Sequence, residues 1–353
     1  MGNEKIKVAI SHGDINGIGY EVIFKALSDP AMQEICTPVI YGSSKIAAYH
    51  RKALNLPAIT LNSVKDGGEA HFRRVNIVNC VDEEVRVELG KATETGGMAA
   101  FMALEKAVDD LRKGLVDVLV TAPINKKVIQ SEQFSFPGHT EYLADKLGGT
   151  PLMLLVSDLL RVGVVTGHIP VKDISKTISK ELILQKLRIL NQSLKDDFTI
   201  RRPRIAVLGL NPHAGDSGLL GTEEIDIIKP ALEMAKEEGI MAFGPFPADG
   251  LFATDGYKKF DAILAMYHDQ GLTPFKALSF STGVNFTAGL PFVRTSPDHG
   301  TAYEITGQGI AEEQSLLSAI YMAIDIYNSR KTNAELKANP LKSVDPGTLS
   351  SDE

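Results

Sequence analysis

Five short apolar runs, each ending in a loop rich in glycine, proline or histidine, constrain what this chain can fold into more than any other feature. KVAIS (Lys7–Ser11) runs into HGDINGIG and LVDVLVT (115–121) into APINK. RVGVVT (Arg161–Thr166) runs into GHIP, RIAVLGL (204–210) into NPHAG, and DAILAM (261–266) into YHDQG. Helix-period segments lie between them. Met98, Phe101, Leu104, Val108 and Leu111 recur at three and four residues, which predicts a helix over 95–113 with one buried stripe. A helix is expected over 20–27, and Ile183, Leu187, Leu190 and Leu194 mark another. Thr222 reads as an N-cap with Glu223 and Glu224 set against the helix dipole, on a helix carrying Ile225, Ile228 and Leu232 inward and stopping near Gly239. A last helix is expected over 313–329, with a loosely ordered polar tail at 331–353. Strand–helix alternation of this kind predicts an α/β fold with a mostly parallel sheet and helices on both faces.

In such sheets ligands bind beyond the carboxyl ends of the strands. His168, His213 and His268 each follow one of the predicted strands, in GHIP, NPHAG and YHDQG. A single loop histidine is more often a surface residue. Three at equivalent positions suggest a metal site assembled by the fold, since their spacing fits no local zinc motif. His50 and His71 lie in polar stretches and are read as uninvolved. His139 and Thr140 stand at the start of an expected helix, where free N–H groups favour a carboxylate or phosphate; Thr140 as a plain N-cap is the alternative.

The net charge of −7 excludes an extended nucleic-acid surface but leaves room for a small phosphate. Lys276, Asn285 and Arg294 lie in a stretch otherwise poor in cations, among Phe275, Val284, Phe292 and Val293. Partly buried cations need anionic partners. The glycine-rich GDINGIG and the loop SPDHGTAYEITGQGIA, with His299 and Gly300, are each weak dinucleotide signals when taken alone. Cys36 and Cys80 are expected to be free thiols. No apolar run reaches membrane-spanning length, and the opening MGNEKIKVAIS has no long apolar stretch, so a cytoplasmic protein is expected.

Taken together, GDINGIGYE, TAPINK, FPGHTEYLA, TGHIP, GLNPHAGDSGLLGTEE, PADGLF, AMYHDQGL and GVNFTAGLPFVRTSPDHGTA resemble the 4-hydroxythreonine-4-phosphate dehydrogenases of pyridoxal phosphate biosynthesis, over about residues 5–328. GDxxGIGxE and DHGTAxxxxGxG also look like the wider isocitrate and isopropylmalate dehydrogenase superfamily. The resemblance implies two α/β/α domains with a cleft between them: 1–125 plus 286–330 on the cofactor side, and 126–285 for substrate, metal and dimerisation. It implies NAD (or NADP) and a divalent metal (Zn, Co or Mg) held by His168, His213 and His268. It also implies a homodimer with the site at the interface, one ligand coming from the partner. Substrate-binding positions fall on His139, Thr140, Lys276, Asn285 and Arg294. Asn16, His299, Gly300 and Thr301 are the cofactor candidates, and Asp249 and Asp269 the acid/base or supporting candidates. The activity implied is oxidation of the C3 hydroxyl of 4-hydroxy-L-threonine 4-phosphate, followed by decarboxylation. The chain departs from the family at Ile15, Asn16 and Tyr20, where prolines and an alanine are usual, so this turn is expected to be less rigid. Rival readings are a dehydrogenase of threonate or erythronate 4-phosphate, a tri-histidine metal hydrolase that needs no NAD, and a non-catalytic metal- or phosphate-binding protein.

Overall fold

The computed structural model describes residues 5–82, 84–131, 134–136, 138–279 and 281–338. Among the described residues twelve strands form one sheet. In chain order they are β1 (Lys7–Ser11), β2 (Thr37–Gly42), β3 (Leu61–Val64), β4 (Val75–Asn79), β5 (Val118–Thr121), β6 (Leu152–Val156), β7 (Arg161–Thr166), β8 (Arg204–Leu208), β9 (Met241–Phe246), β10 (Ala262–Tyr267), β11 (Val284–Ala288) and β12 (Val293–Pro297). Across the sheet the order is β3-β4-β2-β1-β5-β12-β11-β6-β7-β10-β8-β9.

Strands from residues 7–121 and 293–297 make one parallel half; strands β7, β10, β8 and β9 make another. The pairs β12–β11, β11–β6 and β6–β7 are antiparallel. Three successive reversals leave the two parallel halves running in opposite directions. The expected parallel character therefore holds within each half, and the join between halves is where it breaks. A central strand such as β10, AILAMY, reads as a near-continuous apolar run, as strands covered on both faces do.

The helix Glu94–Arg112 is capped by the Thr93 side chain accepting from the Gly96 N–H. It buries Phe101, Leu104, Val108 and Leu111, whereas Met98 is 45% exposed and lies off the buried stripe. In the helix Lys180–Asp196, Ser179 caps the start and Ile183, Leu187, Leu190 and Leu194 face the core. Ile228 and Leu232 are buried as expected, but Ile225 is exposed. Its segment, Glu224–Ile228, is a π-turn, which rotates side chains away from their α-helical positions. The last helix, Gln314–Ala338, outruns its expected end: residues 331–338 are helical, not loose. Arg330 reaches Asp197, and Asn333 and Lys337 reach the carbonyl and carboxylate of Asp196. The remaining part of the predicted tail, 339–353, lies outside the described residues. Both cysteines are free. Among the described residues no helix is long and apolar enough to cross a membrane.

Candidate active site

A cavity of about 260 Å3 takes side chains from both halves of the sheet and from the antiparallel join. Thr121, Pro123 and Lys126 come from the end of β5 and the loop after it, while His168 and His268 follow β7 and β10. Met153, Asn285 and Ser296 come from the mid-sheet strands β6, β11 and β12. A flat sheet would aim the ends of oppositely running strands apart; the twist that accumulates from strand to strand offers a way to bring them to one cleft.

Arg294 is the central charge. It is 2% exposed, and its guanidinium donates to the Thr121 hydroxyl (Nε 3.1 Å, Nη2 2.6 Å), to Thr287 Oγ1 at 3.2 Å and to His139 Nδ1 at 3.1 Å. No carboxylate pairs with it among the described residues. Burial lowers its pKa to about 9, against the pull of the Glu141 charge. A guanidinium can only donate, so His139 Nδ1 must accept, and the proton of the neutral ring sits on Nε2. That nitrogen is buried without a partner. Burial first, then the charges of Arg294 and Lys126, hold His139 well below the ordinary histidine pKa.

His139 opens the helix His139–Leu147, whose N-cap is Gly138 and not Thr140. The Thr140 hydroxyl is thus free of a capping role and lines the cavity. Lys276 lies 3.4 Å from Asp298 Oδ1, and burial raises the Asp298 carboxyl against the pull of that ammonium. Burial likewise lowers His299. An added Cβ on Gly300 would meet open space, so a ligand can approach its backbone.

His168 and His268 stand with ring centroids 5.5 Å apart. His268 Nδ1 donates to Asp269 Oδ1 at 2.7 Å, which leaves Nε2 as a lone-pair donor for a cation. His168 Nε2 accepts from Lys126 Nζ at 2.8 Å, while Nδ1 faces Glu141 Oε1 at 3.8 Å. Glu141 is held below the usual carboxylate range chiefly by His168, and burial lowers Lys126. Two imidazoles, one braced by a carboxylate, suit a divalent metal of the imidazole-binding type. A cation bound by His168 through Nε2 must displace the Lys126 ammonium.

His213 is not a lining residue. It is exposed on a left-handed turn after β8, the strand beside β10. Among the described residues of one chain, no three His, Cys, Asp or Glu side chains are grouped to hold a metal. Asp269 touches His268 and is not itself a lining residue, while Asp249 is exposed on the helix Ala248–Ala253 and does not line the cavity. Asn16 is fully buried: its amide donates to Thr93 Oγ1 and accepts from the Glu88 N–H. The Thr301 carbonyl accepts from the Ile18 N–H. These two residues bind the glycine-rich turn to its neighbours and do not face the cavity. Tyr20, at one of the positions where the family's proline is missing, is buried between His12 and His50 with ring centroids 5.1 Å from each, and it exchanges hydrogen bonds with the Ser43 backbone. His50 is a structural residue here, bonded to the Ile15 carbonyl.

Sequence reasoning passed over Thr121, Lys126, Glu141 and Asp298. Lys126 stood in the TAPINK motif, and Glu141 sits two residues past His139. Neither spacing indicates which cation or imidazole it meets.

The family model described as "Pyridoxal phosphate biosynthetic protein PdxA" matches residues 34–323. A 4-hydroxythreonine-4-phosphate dehydrogenase of Bacteroides thetaiotaomicron is 56% identical over 97% of this chain and 94% of that protein. A D-threonate 4-phosphate dehydrogenase of Cupriavidus necator is 40% identical over 92% of this chain and 98% of that protein. The crystal structure of a 4-hydroxythreonine-4-phosphate dehydrogenase from Klebsiella pneumoniae superposes with a TM-score of 0.80 at 34% identity, covering 92% of this chain and 99% of that one.

Proposed function

The chain belongs to the PdxA family of pyridoxal phosphate biosynthetic proteins, and on that premise we propose that it is the NAD- and divalent-metal-dependent dehydrogenase of 4-hydroxy-L-threonine 4-phosphate. It oxidises the C3 hydroxyl, and loss of carbon dioxide then yields 3-amino-2-oxopropyl phosphate. It works in the cytoplasm as a homodimer whose sites lie at the interface.

One observation carries this reading. Buried side-chain atoms without partners include His139 Nε2, Glu141 Oε2, Asn285 Oδ1 and His299 Nε2, and all four belong to residues lining the same cavity as the unpaired Arg294. Unmet buried polar groups are costly, so a cluster of them around an unpaired cation marks a place shaped for a polar, anionic ligand. Arg294, Lys276 and the His139 Nε2–H supply donors for the carboxylate and phosphate ends, with the Thr140 hydroxyl beside them. Asn285 Oδ1 supplies an acceptor for a donor group of the substrate. His299 and the open backbone at Gly300 flank the side where a nicotinamide cofactor would lie.

His168, His213 and His268 would hold the metal, the set being completed across the dimer. When bound, the metal supplies positive charge for the oxygen that loses its proton, and NAD takes the hydride. Asp269 fixes the orientation of His268 so that its free nitrogen faces the cavity.

The relative from Cupriavidus supports a second reading, in which the substrate is threonate 4-phosphate or erythronate 4-phosphate. The growth of reduced-nicotinamide absorbance, followed with each phosphorylated substrate in turn and with Zn, Co or Mg added, distinguishes the two. A chain that reduces NAD with neither substrate is not this dehydrogenase.

A further inference from the structure

We propose that Glu224 is the positioning residue that holds His213 in place for metal binding; the inference rests on the assignment of His213 to the metal. In sequence Glu224 reads as an acid set against a helix dipole; in the fold it is 1% exposed. No Lys, Arg or His pairs with it among the described residues. Its Oε1 accepts from the Leu210 N–H at 2.7 Å and the Asn211 N–H at 2.8 Å, and its Oε2 accepts from Asn211 Nδ2 at 3.0 Å. Among the described residues every polar contact of this buried carboxylate goes to the two residues that precede the PHAG turn.

That turn needs holding. His213, Ala214, Gly215, Asp216 and Ser217 have φ of 54°, 52°, 81°, 42° and 58°, so four non-glycine residues in one stretch adopt the left-handed conformation. L-residues disfavour it, and such a run persists only where its surroundings over-determine it. The Glu224 carboxylate fills the inside of the turn: a Cβ built on Gly215 would meet its Oε2 at 2.5 Å. Glu223 Oε2 takes the same Asn211 amide at 2.8 Å.

A second tie fixes the base of the loop to the neighbouring histidine. Gln270 Nε2 donates to the Gly209 carbonyl at 2.6 Å and its Oε1 accepts from the Met266 N–H at 2.7 Å. The ends of β8 and β10, which lead to His213 and His268, are thereby joined. Glu224 is the first residue of the π-turn Glu224–Ile228, which sets the carboxylate beside the loop it binds. Removing Glu224 leaves the Leu210 and Asn211 N–H groups unpaired and lets the turn relax toward right-handed backbone, which carries the His213 imidazole off its line.

The test uses metal-stripped full chain as wild type, E224A, E224Q, H213A and H213A/E224A. Zinc affinity is read by calorimetry, inorganic phosphate affinity by the same method, and folding by circular dichroism. E224A is expected to weaken zinc binding about 10- to 100-fold, in the range found when groups supporting a metal ligand are lost. E224Q, which keeps one acceptor oxygen, should fall between E224A and wild type. Phosphate affinity should not change, and E224A should cost nothing further in the H213A background. Zinc affinity at wild-type level in folded E224A or E224Q, or an equal loss with and without His213, overturns the proposal. If E224A does not fold, E224Q decides. If H213A itself binds zinc as wild type does, the metal assignment of His213 fails instead.

Discussion

Arg294 is held in a position that the free protein alone does not justify. Its guanidinium is buried among hydroxyls and one neutral imidazole, with no carboxylate paired to it among the described residues. Replacing it with methionine should raise KM for the phosphorylated substrate about 100-fold, the cost of removing one partner of a buried charged pair. The ligand-free thermal midpoint should hold or rise, because an uncompensated charge leaves the interior. Steady-state kinetics and a thermal melt on the same preparation check both; a sharp fall in the midpoint would show that Arg294 is structural.

At the scale of elements, close approaches decide more than propensities do. Gly97 lies on the helix Glu94–Arg112 directly against the Val128 carbonyl, with no room for a Cβ. G97A must push away the segment that follows Lys126. It is expected to lower stability by about 1–3 kcal/mol, as overpacking does, and to reduce turnover together with it, measured by urea midpoint and kcat. The last helix makes a contrasting case. Asp197 is 4% exposed and accepts from Arg330 Nε and Ser193 Oγ, both at 2.6 Å. D197A should cost about 2 kcal/mol and leave kcat/KM unchanged, because this contact lies outside the cavity.

Across the whole molecule, buried imidazoles set the acid limit of stability. Burial lowers His12 to about 3 and His50 to about 4, and it also depresses His139. Each stays neutral when folded but takes a proton near pH 6.5 when unfolded. The unfolded chain then binds more protons below that pH, and stability falls as the pH drops from about 6.5 toward 4. At pH 4 the loss is on the order of 3 kcal/mol for each of His12 and His50. Denaturation midpoints for wild type and H50Q across pH 7 to 4 should diverge, with the variant losing less; parallel curves would refute the assignment. The dimer expectation is also a whole-molecule matter. One chain brings His168 and His268 together and leaves His213 apart. Mixing inactive H168A and H213A subunits should therefore restore about a quarter of wild-type activity if the site is shared, as random pairing into symmetric dimers requires. No recovery would argue for ligands drawn from one subunit.

How much of this was readable from the chain alone follows from the range over which each signal acts. The periodic stripes at Phe101–Leu111 and Ile183–Leu194, and strands such as KVAIS, are local in origin, because burial of one face imposes a three-to-four or continuous apolar pattern on nearby residues. Of the cavity residues, Lys276, Asn285 and Arg294 were legible because apolar neighbours flank polar groups that need a partner, and His139 because it opens a helix whose free N–H groups favour an anion. Met98 and Ile225 were misplaced, and the helix past Arg330 was missed, since a stripe's edge, a π-turn and a distant Asp197 are decided by packing. What only the tertiary structure decided was pairing. Lys126 meets His168, Arg294 meets His139, and Glu224 meets the turn of His213, across 42, 155 and 13 residues of chain. Such contacts depend on strand order and the antiparallel join of the sheet, and no short-range pattern in an amino-acid sequence encodes which distant side chain will stand opposite.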